Sequence, residues 1–202
     1  VLAVLRKNLL DQKNTQILYT GELPDSFDLE TVKRVYSYNF EVKKVESIDE
    51  VSAFDGSTIF FSQQDEIGDF DLSSNIDFFV SAHPQLGSIL VVNGEQNKDY
   101  ISAIQHVRRR ETIAMTPADS HTALQMLIGK TAIVQEESDV AANKASVIDS
   151  IHKITATNSK AVIASSGLSM QYPIMMGLID AALERHKGKD IKFIVPPNCY
   201  GG

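Results

Sequence analysis

Apolar residues along this chain fall into two alternating periods. Five short runs, residues 16–19, 40–45, 58–62, 78–81 and 88–92, are compact and rich in branched and aromatic side chains, and they read as β-strands. Between some of them the spacing becomes helical. Over residues 29–38 the apolar positions are Leu29, Val32, Val35 and Tyr36, with Asp28 placed to cap the first turn. Residues 48–54 repeat that pattern more briefly. Strands alternating with helices predict an α/β fold.

A further helix is marked over residues 97–110 by Tyr100, Ile101, Ile104 and Val107. Mixed polarity and Pro117 follow, which suggests a boundary near Ile113. It separates an N-terminal α/β portion, residues 1–112, from a second unit, residues 113–202. No repeat, low-complexity tract or long linker enforces the division, so the halves could equally share one sheet.

The pattern is clearest toward the end of the chain. Val147, Ile148, Ile151 and Ile154 stripe a helix beginning near Asp139, and the polar turn Thr157, Asn158, Ser159 leads into an apolar strand over 160–164. Ser165, Ser166 and Gly167 form the next turn. A helix with Ile174, Leu178, Ala181 and Ala182 on one face follows and stops at Gly188, and a strand over 191–195 ends at Pro196 and Pro197. Strand, helix and strand in that order predict a parallel βαβ unit with a right-handed crossover.

Charge and composition narrow the partners. A formal net charge of -7 repels polyanions, and the one basic run, Arg108, Arg109 and Arg110, reads as a solvated helix face, so neither nucleic acid nor an anionic membrane is expected. The apolar opening over 1–10 is interrupted by Arg6 and Lys7 and is too short to span a bilayer. A single cysteine, Cys199, excludes an intramolecular disulfide framework and fits a reducing, cytoplasmic setting. The five histidines lack metal-ligand spacing, and no metal is expected. The chain opens on Val1 and closes on Gly201 and Gly202 after an apolar strand, so it is expected to be a piece of a longer protein.

Three short motifs fail on their surroundings. Gly129-Lys130-Thr131 resembles the end of a nucleotide-binding loop, but Leu124 stands where the first glycine belongs. Ser150 and Lys153 spell a Ser-x-x-Lys pair inside an amphipathic helix rather than at its start. Asp119, Ser120 and His121 are neighbours in sequence, whereas catalytic triads assemble across space.

The Ser165-Ser166-Gly167 turn carries more chemistry. A turn that leaves a strand and opens a helix presents unpaired backbone N–H groups, and small residues let an anion approach them. Glycine frees the backbone, and serine hydroxyls add hydrogen bonds to a phosphate. By itself such a turn is a weak signal, more often merely a tight connection.

In its order of elements the segment from Asn143 to Gly202 resembles the trans-sulfuration enzymes of cysteine and methionine metabolism, which depend on pyridoxal 5′-phosphate. Those enzymes run helix, strand, Ser-Ser-Gly-Met, long helix, strand and Tyr-Gly-Gly. Here the order is a helix over 143–154, a strand over 161–164, Ser165-Ser166-Gly167-Leu168, a helix over 174–185, a strand over 191–195 and Tyr200-Gly201-Gly202. The resemblance implies the start of a fold-type I transferase domain. It implies that Ser165, Ser166, Gly167 and Leu168 hold the cofactor phosphate. It also implies that Tyr200 stacks on the cofactor ring and serves catalysis through its hydroxyl.

The family's cofactor-bearing lysine and its aspartate at the pyridine nitrogen would fall after Gly202, so residues 1–202 alone are expected to be inactive. The chain departs from the family in three places. Pro173 suits a first helical turn and would delay the start of the helix, and residues 184–190 lengthen the link to Tyr200. The family's Tyr-x-Arg element has no counterpart before Asn143. The implied function is elimination or replacement at the side chain of a sulfur-containing or related amino acid, by an enzyme that works as a homo-oligomer. The alternative is a non-catalytic α/β module binding another anion or ligand, and an aminotransferase of the same fold is disfavoured by Tyr-Gly-Gly.

Overall fold

A computed structural model describes residues 1–202 apart from 25–26, 69, 71, 111–114, 135–138, 165, 198–202 and the side chain of Arg110. Helix α1 (Leu2–Leu10) turns Ala3, Val4, Leu5 and Asn8 inward. Strand β1 (Thr15–Thr20) follows, then α2 (Leu29–Tyr36), whose first turn is capped by the Asp28 carboxylate accepting from the Thr31 N–H at 3.0 Å. Ser37 takes a left-handed φ of 56° and ends that helix. Next come β2 (Glu41–Lys44), β3 (Ser57–Gln63), β4 (Phe78–His83) and β5 (Gly87–Val92). The remaining helices are α3 (Asp99–Arg110), α4 (Pro117–Leu127), α5 (Val140–Thr155) and α6 (Gly167–Arg185).

The five strands form one sheet in the order β2-β1-β3-β4-β5. Every neighbouring pair is parallel except β4 and β5, which form an antiparallel hairpin. Register assigns each face its residues. Val42, Ile17, Ile59, Phe78 and Val92 lie side by side on one face, which is packed by Val4 and Leu5 of α1, Leu29 and Val32 of α2, and Tyr100 and Ile104 of α3. On the opposite face Leu18, Phe60, Phe79 and Val91 pack beneath Val45, Ile48, Val51 and Ile76. Ala123 of α4 joins a smaller cluster with Ile67 and Leu86. Central β3 is covered on both faces, so Ser57 to Ser62 are all buried and the run shows no alternation.

The expected strands and helices over residues 15–110 are present as a mixed α/β sheet structure, with helices α1 and α4 added to those the sequence pattern marks and one helix shortened. Residues 1–10, apolar but interrupted by charge, make α1, because Arg6 and Lys7 lie away from its buried face. Thr116 and Pro117 start α4, the hydroxyl accepting from the Asp119 N–H at 3.1 Å. The pattern over 48–54 yields only a single 3-10 turn, Ile48–Glu50, capped by Ser47.

One expectation is corrected. The parallel βαβ unit around α6 does not form among the described residues, since 160–164 and 191–195 join no ladder. A strand's backbone groups need a neighbouring strand. Among the described residues none is offered to these segments, and Val162, Phe193, Ile194 and Val195 stay exposed. Helix α6 itself starts earlier than Pro173 suggests, at Gly167, and runs through the proline.

Candidate functional site at the start of helix α6

Ser166 adopts extended backbone, φ -156° and ψ 165°, immediately before the first turn of α6. Its hydroxyl accepts from the Ser169 N–H at 3.1 Å, and its own N–H donates to the Ser169 hydroxyl at 2.9 Å. This reciprocal pair is a capping box with serine in the place usually held by glutamate or glutamine. The helical ladder begins with the Met170 N–H donating to the Ser166 carbonyl at 3.0 Å. Helix geometry gives the N–H groups of Gly167 and Leu168 no partner within α6. Ser166, Gly167 and Leu168 are exposed, so those two donors face outward where the macrodipole favours negative charge.

Gly167 is not required by packing. An added Cβ would meet no atom within 4 Å, and its φ is not left-handed. Gly56 shows the contrast, since a Cβ there would lie 2.5 Å from the Asn14 carbonyl oxygen. Glycine therefore contributes bare access at position 167, which suits close approach of a phosphate to the backbone.

The structure brings Ser166, Gly167 and Leu168 together at one helix opening. Ser165 and Tyr200, the other expected cofactor contacts, lie outside the described residues, as does Cys199. A feature the sequence reading missed is the attachment of α6 to α2. The Tyr36 and Tyr172 hydroxyls share a hydrogen bond at 2.5 Å. Arg34 pairs with Asp180 and lies 3.7 Å from the Glu184 carboxylate. Such contacts join positions far apart in sequence, and only the polar and aromatic residues on the last turn of α2 hinted at them.

Elsewhere the candidate chemistry is committed to structure. A cleft of about 700 Å3 opens beside the carboxyl ends of β3 and β4, lined by Phe27, Phe61, Val80, His83 and Leu90 among others. His83 is fully engaged there. Its Nδ1 accepts from the Gln85 and Leu86 N–H groups at 3.1 and 3.2 Å, and its Nε2 donates to the Asp65 carbonyl at 2.9 Å. The Ser150 hydroxyl donates to the Ser146 carbonyl at 2.8 Å within α5, which occupies it as a helical back-bond. Asp119 closes onto the Thr116 hydroxyl at 2.6 Å, and Gly129 follows the end of α4 instead of opening a helix. Among the described residues no group of three His, Cys, Asp or Glu side chains could hold a metal ion. No described helix is long and apolar enough to cross a membrane.

No protein-family description, curated protein or solved structure matches this chain.

Proposed function

We propose that the chain is the N-terminal part of a pyridoxal 5′-phosphate-dependent lyase or transferase acting on a sulfur-containing or related amino acid, with the opening of α6 as its phosphate cradle. The observation that carries this reading is the start of α6 at Ser166 and Gly167. It opens a 19-residue helix, leaves the Gly167 and Leu168 N–H groups facing outward, and holds a glycine that packing does not require. The ordered succession from Ser165 to Tyr200-Gly201-Gly202 supports it from the sequence. The residues fit a phosphate dianion: two backbone donors at a turn fixed by the Ser166–Ser169 capping box, and no carboxylate in the first turn of α6.

Bound there, the cofactor would act as the electron sink for side-chain chemistry. The protein's own residues have separate work. Gly167 and Leu168 would hold the phosphate by their N–H groups, Ser166 would fix the turn through its capping box with Ser165 adding a hydroxyl, and Tyr200 would cover the ring and handle a proton through its phenol. In this reading the enzyme works in the cytoplasm as a homo-oligomer. The second reading, a non-catalytic α/β module that holds another anion at the same turn, draws on the missing ladder at 160–164 and 191–195.

Two sets of substitutions in the full-length protein test the assignment. Gly167→Asp puts a carboxylate where the phosphate should sit, and cofactor absorbance should be lost while the far-ultraviolet circular dichroism persists. Unchanged cofactor content would remove Gly167 from the site. Tyr200→Phe keeps the ring, so turnover should fall by roughly ten- to ten-thousandfold with affinity nearly retained. Tyr200→Ala should also weaken cofactor binding about tenfold. If both variants bind and turn over like the parent, Tyr200 is a packing residue only.

A further inference from the structure

Pro173 lies inside α6. It has no N–H to send to the Ser169 carbonyl, and its ring crowds that carbonyl, so an interior proline loosens or bends a helix at this point. Residues 167–172 and 174–185 of this continuous helix thus meet at a position that lacks one backbone N–H donor. Helix α2 touches α6 on both sides of Pro173. Before the proline, the Tyr36 hydroxyl meets that of Tyr172 at 2.5 Å. Beyond it, Arg34 pairs with Asp180 and reaches Glu184 at 3.7 Å. The grip is backed from the interior, because the Tyr36 ring stacks on Tyr38 with centroids 5.1 Å apart, and Tyr38 belongs to the main core.

We infer that α2 is a splint across Pro173: Tyr36 and Arg34 are positioning residues that fix the direction of the first turns of α6 and so aim the Gly167 and Leu168 N–H groups at their anion. The inference rests on the reading of that turn as the phosphate cradle. It makes the N-terminal sheet part of the site, since the sheet's core holds Tyr38, Tyr38 backs Tyr36, and Tyr36 holds Tyr172 within two turns of Gly167. Neither contact is strong alone. Arg34 is half exposed, and exposed ion pairs contribute little, so the effect expected from both together is modest.

The test is a cycle in the full-length protein with pyridoxal 5′-phosphate as probe. Arg34→Ala combined with Tyr36→Phe should weaken cofactor binding roughly three- to tenfold and speed amide exchange over residues 167–172. In a Pro173→Ala background the helix needs no splint, and the same two substitutions should have nearly no effect on either readout. Tyr36→Phe alone keeps the aromatic stack and serves if the double variant folds poorly. Equal effects in both backgrounds, or none in either, would overturn the splint and leave α2 as ordinary packing. A parent protein that does not bind pyridoxal 5′-phosphate would defeat the functional reading, and the amide-exchange cycle would still decide the splint.

Discussion

Asn8 is a polar side chain at the meeting point of α1, α3, β1 and β3. Its Oδ1 accepts from the Tyr100 hydroxyl at 2.5 Å, and its Nδ2 donates to the Thr15 hydroxyl at 2.7 Å. Asn8 is 1% exposed, so replacing it strands Tyr100 and Thr15 as buried hydroxyls without partners. Asn8→Leu should therefore destabilise by about 2–4 kcal/mol despite its added apolar area, and Tyr100→Phe by about 1 kcal/mol. Urea unfolding of both variants checks the ordering; a neutral Asn8→Leu would mean the network contributes nothing. None of this was legible in the sequence, where an asparagine beside Lys7 in a mixed run looks like part of a solvated face. At the start of α6 the sequence marked Ser166 and Gly167 as a turn opening a helix, which they are, but placed the helix start too late at Pro173 and a strand before the turn that does not form. What Tyr36 and Arg34 do was not, since no local pattern reports a partner far along the chain.

Helix α2 shows how far an element can be read. Its apolar spacing and its capping Asp28 were both visible, and both are present. The Thr31 N–H, then the Thr31 hydroxyl, hold the Asp28 carboxyl below the usual carboxylate range. A depressed carboxyl pKa favours the fold above the group's ordinary value, and that contribution is lost as pH falls through the depressed one. The start of α2 should accordingly loosen as pH drops below about 4. Asp28→Asn, which still caps but does not ionise, should remove the dependence. The Thr31 amide resonance followed by NMR is the readout; identical acid titrations of parent and variant would exclude the cap as its source. Strands β3 and β4 were legible for a related reason, since runs buried on both faces stand out as continuous apolar stretches. Segments 160–164 and 191–195 carry the same apolar signal and form no ladder. Propensity marks a candidate strand, and a partner makes it one.

At the scale of the molecule, packing is uneven. One sheet spanning residues 15–92 holds the deepest side chains, among them Ile17, Ile59 and Phe78, each fully buried. Helices α5 and α6 bury no residue completely, and Phe193, Ile194 and Val195 beyond them are exposed. Local opening follows such differences. Brief chymotrypsin treatment should cut after Phe193 well before Phe60, Phe61, Phe78 or Phe79, as read by mass spectrometry of the fragments. Early cleavage within β3 or β4 would mean the sheet is not the stable unit. The sequence pattern is clearest in the C-terminal half, and clarity of pattern says nothing about burial.

The two margins of the sheet differ in a way that bears on behaviour in concentrated solution. β2 carries Glu41, Lys43 and Lys44, charges that discourage an approaching chain, whereas β5 runs Gly-Ser-Ile-Leu-Val-Val without charge or proline and has a ladder partner on one side only among the described residues. Self-association by strand addition would thus be directional, extending from the β5 side and stopping at β2. Such one-sided growth favours small, finite assemblies over long fibrils, which need both margins of every unit to be receptive.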